Sequence, residues 1–209
     1  MPKFHIVGLG PGNLNYLLPI AKSIIENSDV LIGGKRNLES LKEFDKEEVR
    51  ITVKLDDVTN YIKENIDDKK ITVVVSGDSG FYSMLGFLSK NFEKSQFEVI
   101  PGISSLQYMF SKIGIMWNDA ILTSVHGRDK DIKELLKRSD TLGLLTDKTN
   151  TPQSIAKYLH DNSIENCRLY VGERLSYDDE SIKEFKTKDL LNYKGSFDVL
   201  NVVVLRRGI

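Results

Sequence analysis

Phe4-His5-Ile6-Val7-Gly8-Leu9-Gly10-Pro11-Gly12-Asn13 is an apolar β-type run that ends in a glycine-rich turn. The pattern returns twice. Ile71-Thr72-Val73-Val74-Val75 leads into Ser76-Gly77-Asp78-Ser79-Gly80, and Phe97-Glu98-Val99-Ile100 leads into Pro101-Gly102-Ile103-Ser104-Ser105. In an open parallel sheet, loops at the carboxyl ends of strands line the crevice where ligands bind. Three backbone-bare turns at strand ends, with His126-Gly127-Arg128 beyond them, predict an α/β fold whose loops frame one cleft.

Working outward, strands and helices alternate. A helix is expected over 19–27, with Pro19 suited to its first turn, then a short strand Asp29 to Gly33. A helix around 37–43, a strand near 49–53 and a helix over 56–65 follow. In the last of these, Val58, Tyr61, Ile62 and Ile66 recur at helical spacing. The β-branched run 71–75 suits a strand buried on both faces. A helix from about Gly80-Phe81-Tyr82 to Asn91 and another from Ser104 to Lys112 complete this half.

Gly114-Ile115-Met116-Trp117-Asn118 interrupts the alternation, so a boundary is placed there, giving domains 1–116 and 117–209. The second domain should hold a strand Ala120 to Val125, a helix over 129–138 and a strand Thr141 to Leu145. A helix over 152–161 and strands Arg168 to Val171 and Val199 to Leu205 follow, with two hairpin-like strands expected between those last two. The fold class is α/β, with a parallel first sheet and a mixed second sheet.

The 29 basic and 30 acidic residues nearly cancel, which disfavours nucleic acid as partner. An anionic ligand must therefore be met by local charge. Cys167 is the single cysteine; no internal disulfide is possible, which fits a reducing compartment, and a small buried thiol is expected rather than a nucleophile. No apolar stretch approaches the roughly 20 residues that cross a bilayer, and no signal-type segment opens the chain. A soluble cytoplasmic protein is expected. The three histidines, His5, His126 and His160, are far apart in sequence, and no metal set is expected.

The first turn superficially suggests a dinucleotide fingerprint. That fingerprint needs a glycine at the sixth place and amides facing a pyrophosphate. Asn13 stands there instead, and Pro11 removes a donor. Asp78 suits either a helix cap or a ligand group, and Ser104 and Ser105 stand where a helix N-cap is common. Arg128 offers a fork for carboxylates, and Lys35-Arg36, after Gly33-Gly34, forms a second basic pair that is either a ligand contact or a solvated surface.

Together these segments resemble the tetrapyrrole methylases, two-domain enzymes that use S-adenosylmethionine, over essentially the whole chain. The marks are Val7 to Gly12, Gly77-Asp78-Ser79 and Pro101 to Ser105. Gly33-Gly34 with Arg36, Ser76-Gly77-Asp78 followed by Gly80-Phe81-Tyr82-Ser83, Ser124 to Asp129, Leu145-Thr146-Asp147 with Pro152, and Val171 to Ser176 resemble the branch that C-methylates a corrinoid (cobalt-precorrin) substrate. The resemblance implies that Pro11, Gly77, Asp78, Phe81, Ser104 and Ser105 line the cofactor from the first domain. Thr146, Gly172 and Glu173 would meet it from the second. Gly10, Gly12, Arg36, His126 and Arg128 would meet the substrate, with His126 the candidate base because imidazole titrates near neutrality.

The chain departs from the family at Ser79, where proline is usual, and at Asn13, where aspartate is common. The resemblance further implies a homodimer, with methylation and decarboxylation at carbon 15 left to a separate protein. Alternatives are a relative acting on another tetrapyrrole position, on a translation factor or on ribosomal RNA. A nicotinamide oxidoreductase or a non-catalytic cofactor-binding module would be further departures.

Overall fold

The computed structural model describes residues 2–125 and 131–208. The chain forms two compact units, Met1–Ser104 and Ser105–Ile209.

The first unit is built from β1 (Phe4–Gly8), α1 (Pro19–Glu26), β2 (Val30–Gly33), α2 (Lys35–Glu39), β3 (Glu47–Arg50), α3 (Leu55–Asn65), β4 (Ile71–Val75), α4 (Leu85–Asn91) and β5 (Phe97–Ile100). Its sheet has the order β3-β2-β4-β1-β5, and every pairing is parallel. Alternate strand residues feed two cores because side chains alternate across a strand. Phe4, Ile6, Ile32, Ile71 and Val73 pack with Val58 and Ile62 of α3 and Leu88 of α4. On the opposite face Val7, Leu31 and Val74 pack with Ala21 and Ile25 of α1 and Leu38 of α2.

From β1 the chain passes to β2 on one side, and from β4 it passes to β5 on the other. The adjacent β1 and β4 therefore flank the topological switch point, the place where open α/β sheets bind ligands at the carboxyl ends of their strands. The turns at 8–12 and 76–80 stand there.

The second unit contains α5 (Ser105–Ile113), β6 (Ile121–Ser124), α6 (Ile132–Leu136), β7 (Thr141–Leu145), α7 (Pro152–Asp161), β8 (Cys167–Glu173), β9 (Ser181–Lys186), α8 (Thr187–Leu191) and β10 (Asn201–Arg207). The sheet order is β6-β7-β10-β8-β9. Only β6 and β7 run parallel; the other neighbours are antiparallel. The mixed sheet is as expected. Leu142, Leu144, Leu169, Val171 and Val203 pack with Ile155 and Leu159 of α7 and Leu190 of α8.

Several expectations are corrected. The boundary falls after Ser104, not after Met116. Helix α5 packs on β7 and β10: a Cβ placed on Gly143 would meet Leu106 and Phe110, and one on Gly172 would meet the Met109 sulfur. Helix α2 starts two residues earlier than read and gives way to a short turn at Lys42–Phe44. Strand β3 ends at Arg50. Between β8 and β10 lies one strand followed by α8, not two strands.

Helix α4 begins at Leu85 rather than near Gly80. The reason is local: Tyr82 has a left-handed φ of 52°, which a right-handed helix does not continue through. Among the described residues, no helix is long and apolar enough to cross a membrane.

Candidate active site

In the first unit the three glycine-bearing turns meet. Gly10 and Gly77 form an isolated antiparallel bridge, with Gly10 N donating to Gly77 O at 3.1 Å and Gly77 N to Gly10 O at 2.8 Å. Both glycines have positive φ, 82° and 67°, a region that side-chain-bearing residues rarely adopt. The third turn closes on the same spot. A Cβ on Gly102 would lie 2.2 Å from Gly77 O and 2.8 Å from Gly8 O, and one on Gly8 would lie 2.6 Å from Gly77 O. Three backbones occupy a space that a methyl group would fill.

Asp78 ties these turns together. Its Oδ1 accepts from Gly80 N at 2.8 Å and its Oδ2 from Gly102 N at 3.0 Å. The helix-cap reading fails, because α4 starts seven residues later, at Leu85, with Met84 in the cap position. Ser79, where the family usually has proline, is buried and donates its hydroxyl to Ile100 O at 2.7 Å. The turn after β4 is thus bonded to the end of β5 without the proline.

Gly10 is buried, while Pro11, Gly12, Gly77, Asp78 and Phe81 are half-buried. Phe81 meets Tyr82 edge to face, ring centroids 4.8 Å apart. Ser104 is buried just ahead of α5, and Ser105 is its first residue. Asn13 caps the short turn Leu14–Tyr16 by accepting from Asn15 N at 2.9 Å. That one-turn 3-10 helix aside, the first α-helix begins only at Pro19, so no α-helix dipole is aimed at the loop. The nicotinamide alternative loses its structural basis.

Arg36, in the first turn of α2, is exposed at the carboxyl edge of the same sheet. Its Nη2 donates to Ser76 Oγ at 3.0 Å. Among the described residues no carboxylate pairs with it. Gly33 ends β2 where there is little room for a side chain: a Cβ there would sit 2.7 Å from Val74 Cγ2 of β4 and 3.4 Å from Leu38 of α2.

In the second unit, β7 and β8 finish at the edge where β10 begins, so Thr146, Gly172, Glu173 and Asn201 come together. Thr146 Oγ1 is buried, 2.6 Å from Asn201 O and 2.7 Å from Asn201 Oδ1. The Glu173 carboxylate is engaged on both oxygens, by Lys183 Nζ at 2.9 Å and Asp198 N at 2.8 Å. After it the chain turns through Arg174 and Ser176, both with positive φ (47° and 71°). Left-handed backbone in such residues is a strain that clusters at functional sites.

His126 and Arg128 lie outside the described residues. Cys167 is buried, and burial pushes its thiol above the ordinary range, which suits packing rather than nucleophilic attack. Sequence reasoning gave no role to Asn37, Ser76 or Asn201, although Ser76 opens the second glycine-bearing turn and Asn201 heads the apolar run Val202 to Leu205.

The Tetrapyrrole (Corrin/Porphyrin) Methylases family model matches residues 3–191. The chain belongs to the tetrapyrrole methylases. A relative named probable cobalt-precorrin-7 C(5)-methyltransferase, from Methanocaldococcus jannaschii, is 34% identical over 204 residues, covering 96% of each chain. Among solved structures, a cobalamin-biosynthesis precorrin-6Y methylase from Archaeoglobus fulgidus has a TM-score of 0.75 at 22% identity. It covers 99% of this chain and 98% of that one. A Thermus thermophilus uroporphyrin-III C-methyltransferase complexed with S-adenyl homocysteine has a TM-score of 0.79 at 18% identity, covering 97% and 91%. The methylase fold accounts for both sheets and their order of elements.

Proposed function

We propose that this methylase transfers a methyl group from S-adenosylmethionine to carbon 5 of cobalt-precorrin-7, a corrinoid precursor of anaerobic cobalamin biosynthesis. The observation that carries the substrate is the likeness at 34% identity to a probable cobalt-precorrin-7 C(5)-methyltransferase, which extends over 96% of both chains. The joined turns of the first unit fit the donor: the bare backbone at Gly8, Gly77 and Gly102 lets a bulky ligand approach main-chain groups.

Pro11, Gly77, Asp78, Phe81, Ser104 and Ser105 hold the cofactor in this reading, joined by Thr146 and by the strand end at Gly172 and Glu173. Because both Glu173 oxygens already have partners, Glu173 serves through its backbone and through the shape it gives the 198–201 segment. When bound, S-adenosylmethionine supplies a methyl group already activated on a sulfonium. The chain therefore needs no covalent nucleophile. Its work is to hold the reacting carbons in line, a contribution worth up to about 7–11 kcal/mol in favourable systems.

Gly10 and Gly12 give the macrocycle room, and Arg36 and Arg128 pair with its carboxylates. His126 is the candidate base in this reading, on the sole ground that an imidazole titrates near neutrality. The family resemblance supports a homodimer.

The test is incubation with methyl-labelled S-adenosylmethionine and a panel of corrinoid and porphyrinoid intermediates, followed by mass analysis. Cobalt-precorrin-7 gains one labelled methyl group if the proposal holds. Methylation of a different member of the panel in its place overturns it.

A further inference from the structure

A chain of three side-chain hydrogen bonds runs from Arg36 to the central strand of the first sheet, and none of the roles above uses it. Arg36 Nη2 donates to Ser76 Oγ at 3.0 Å, Ser76 Oγ donates to Asn37 Oδ1 at 2.8 Å, and Asn37 Nδ2 reaches Val74 O at 3.4 Å. The order of donors is forced. Val74 O can only accept, so the amide nitrogen of Asn37 faces it and the amide oxygen faces Ser76. Arg36 can only donate, so the single hydroxyl proton of Ser76 points to Asn37 and its lone pair to the guanidinium.

The anchor is rigid. Val74 is fully buried in β4, which pairs with both β1 and β2. Ser76 precedes Gly77, whose amide and carbonyl are both locked to Gly10. On α2, the Asn37 carbonyl is held by Ser40 Oγ at 2.7 Å. An exposed arginine ordinarily samples many rotamers and loses that freedom when it grips an anion. Holding it in place beforehand reduces the loss. One guanidinium nitrogen is tethered here, and no described carboxylate competes for the rest.

We propose that Ser76 and Asn37 are positioning residues that hold Arg36 ready for a carboxylate side chain of the tetrapyrrole substrate. This rests on the reading of Arg36 as a substrate residue given above. Ser76 is also the link between that arginine and the turn that cradles the methyl donor.

The test compares steady-state kinetics of the whole enzyme with cobalt-precorrin-7 for Ser76→Ala, Ser76→Thr, Arg36→Ala and the Ser76→Ala/Arg36→Ala pair. Ser76→Ala is expected to raise KM for the corrinoid about tenfold, with kcat and the KM for S-adenosylmethionine within about twofold. Ser76→Thr, which keeps the hydroxyl, should restore KM. The double variant should be no worse than Arg36→Ala alone, because coupled residues are not additive. Additive effects, or failure of Ser76→Thr to rescue, overturn the relay. If Arg36→Ala raises KM and Ser76→Ala does not, the relay fails and the reading of Arg36 survives. If Arg36→Ala leaves KM unchanged, that reading itself fails.

Discussion

Gly102 shows how much one missing side chain can decide. A Cβ there would stand 2.2 Å from Gly77 O and within 2.8 Å of Gly8 O, and these are backbone atoms that cannot swing aside. Gly102→Ala should cost about 3 kcal/mol, lowering Tm by several degrees, and should weaken S-adenosylmethionine binding in calorimetry. Gly86 is the control: nothing lies within 4 Å of its Cβ position, and α4 gains helix propensity when alanine replaces glycine, by up to about 1 kcal/mol. The same substitution should therefore have opposite signs at the two positions, and a neutral Gly102→Ala would contradict the account of the joined turns. That these glycines matter was legible in the sequence, since each follows an apolar strand. That Asp78 spends its carboxylate on Gly80 N and Gly102 N was not, because the second partner lies 24 positions away. The bonds that Asn37, Ser76 and Asn201 make to Val74, Arg36 and Thr146 were not legible for the same reason: they close only after the sheets have assembled.

At the scale of elements, the strands were the most legible part. Runs such as Ile71 to Val75 are β-branched throughout and buried because both faces are covered, and α7 spans the 152–161 expected from Thr151-Pro152. Element ends fared worse, as α4 illustrates, because side-chain bonds and a left-handed Tyr82 delay the helix. The link between α5 and the end of β8 makes a pH prediction. Glu180 takes Lys112 Nζ on one oxygen at 2.8 Å and Ser176 N on the other at 2.7 Å. Its partial burial disfavours the charge, but Lys112, the Ser176 amide and the Tyr108 hydroxyl outweigh that and hold the carboxyl below its ordinary 4.5. A carboxyl with a lowered folded-state pKa stabilises the fold above the unfolded value, and that stability is lost as pH falls through the folded value. Glu180→Gln should cost about 1–2 kcal/mol near neutrality, and the gap to the natural protein should narrow as pH falls through the lowered folded-state value. Denaturation curves showing a gap independent of pH would refute the charged role.

On the scale of the whole molecule, each unit gathers its candidate residues at one edge of its own sheet. In the first unit this is the switch point between β1 and β4, where three turns and Arg36 gather. In the second it is the edge where Thr146, Gly172 and Glu173 meet the start of β10. The contrast follows from topology: the parallel sheet has only strand ends on that edge, while in the mixed sheet the ends of β6, β7 and β8 lie beside the beginnings of β9 and β10. The sequence placed the unit boundary twelve residues late, after Met116, because the helical pattern of α5 reads as a continuation of the alternation before it, while its packing on β7 and β10 is a tertiary fact. The central claim is regiospecific carbon methylation of a corrinoid. Its most direct measurement is NMR of the product formed from cobalt-precorrin-7 and S-adenosylmethionine carrying a ¹³C methyl group. The account predicts a single labelled methyl on carbon 5; label on any other position, or an unlabelled corrinoid recovered from folded, donor-bound enzyme, would contradict it.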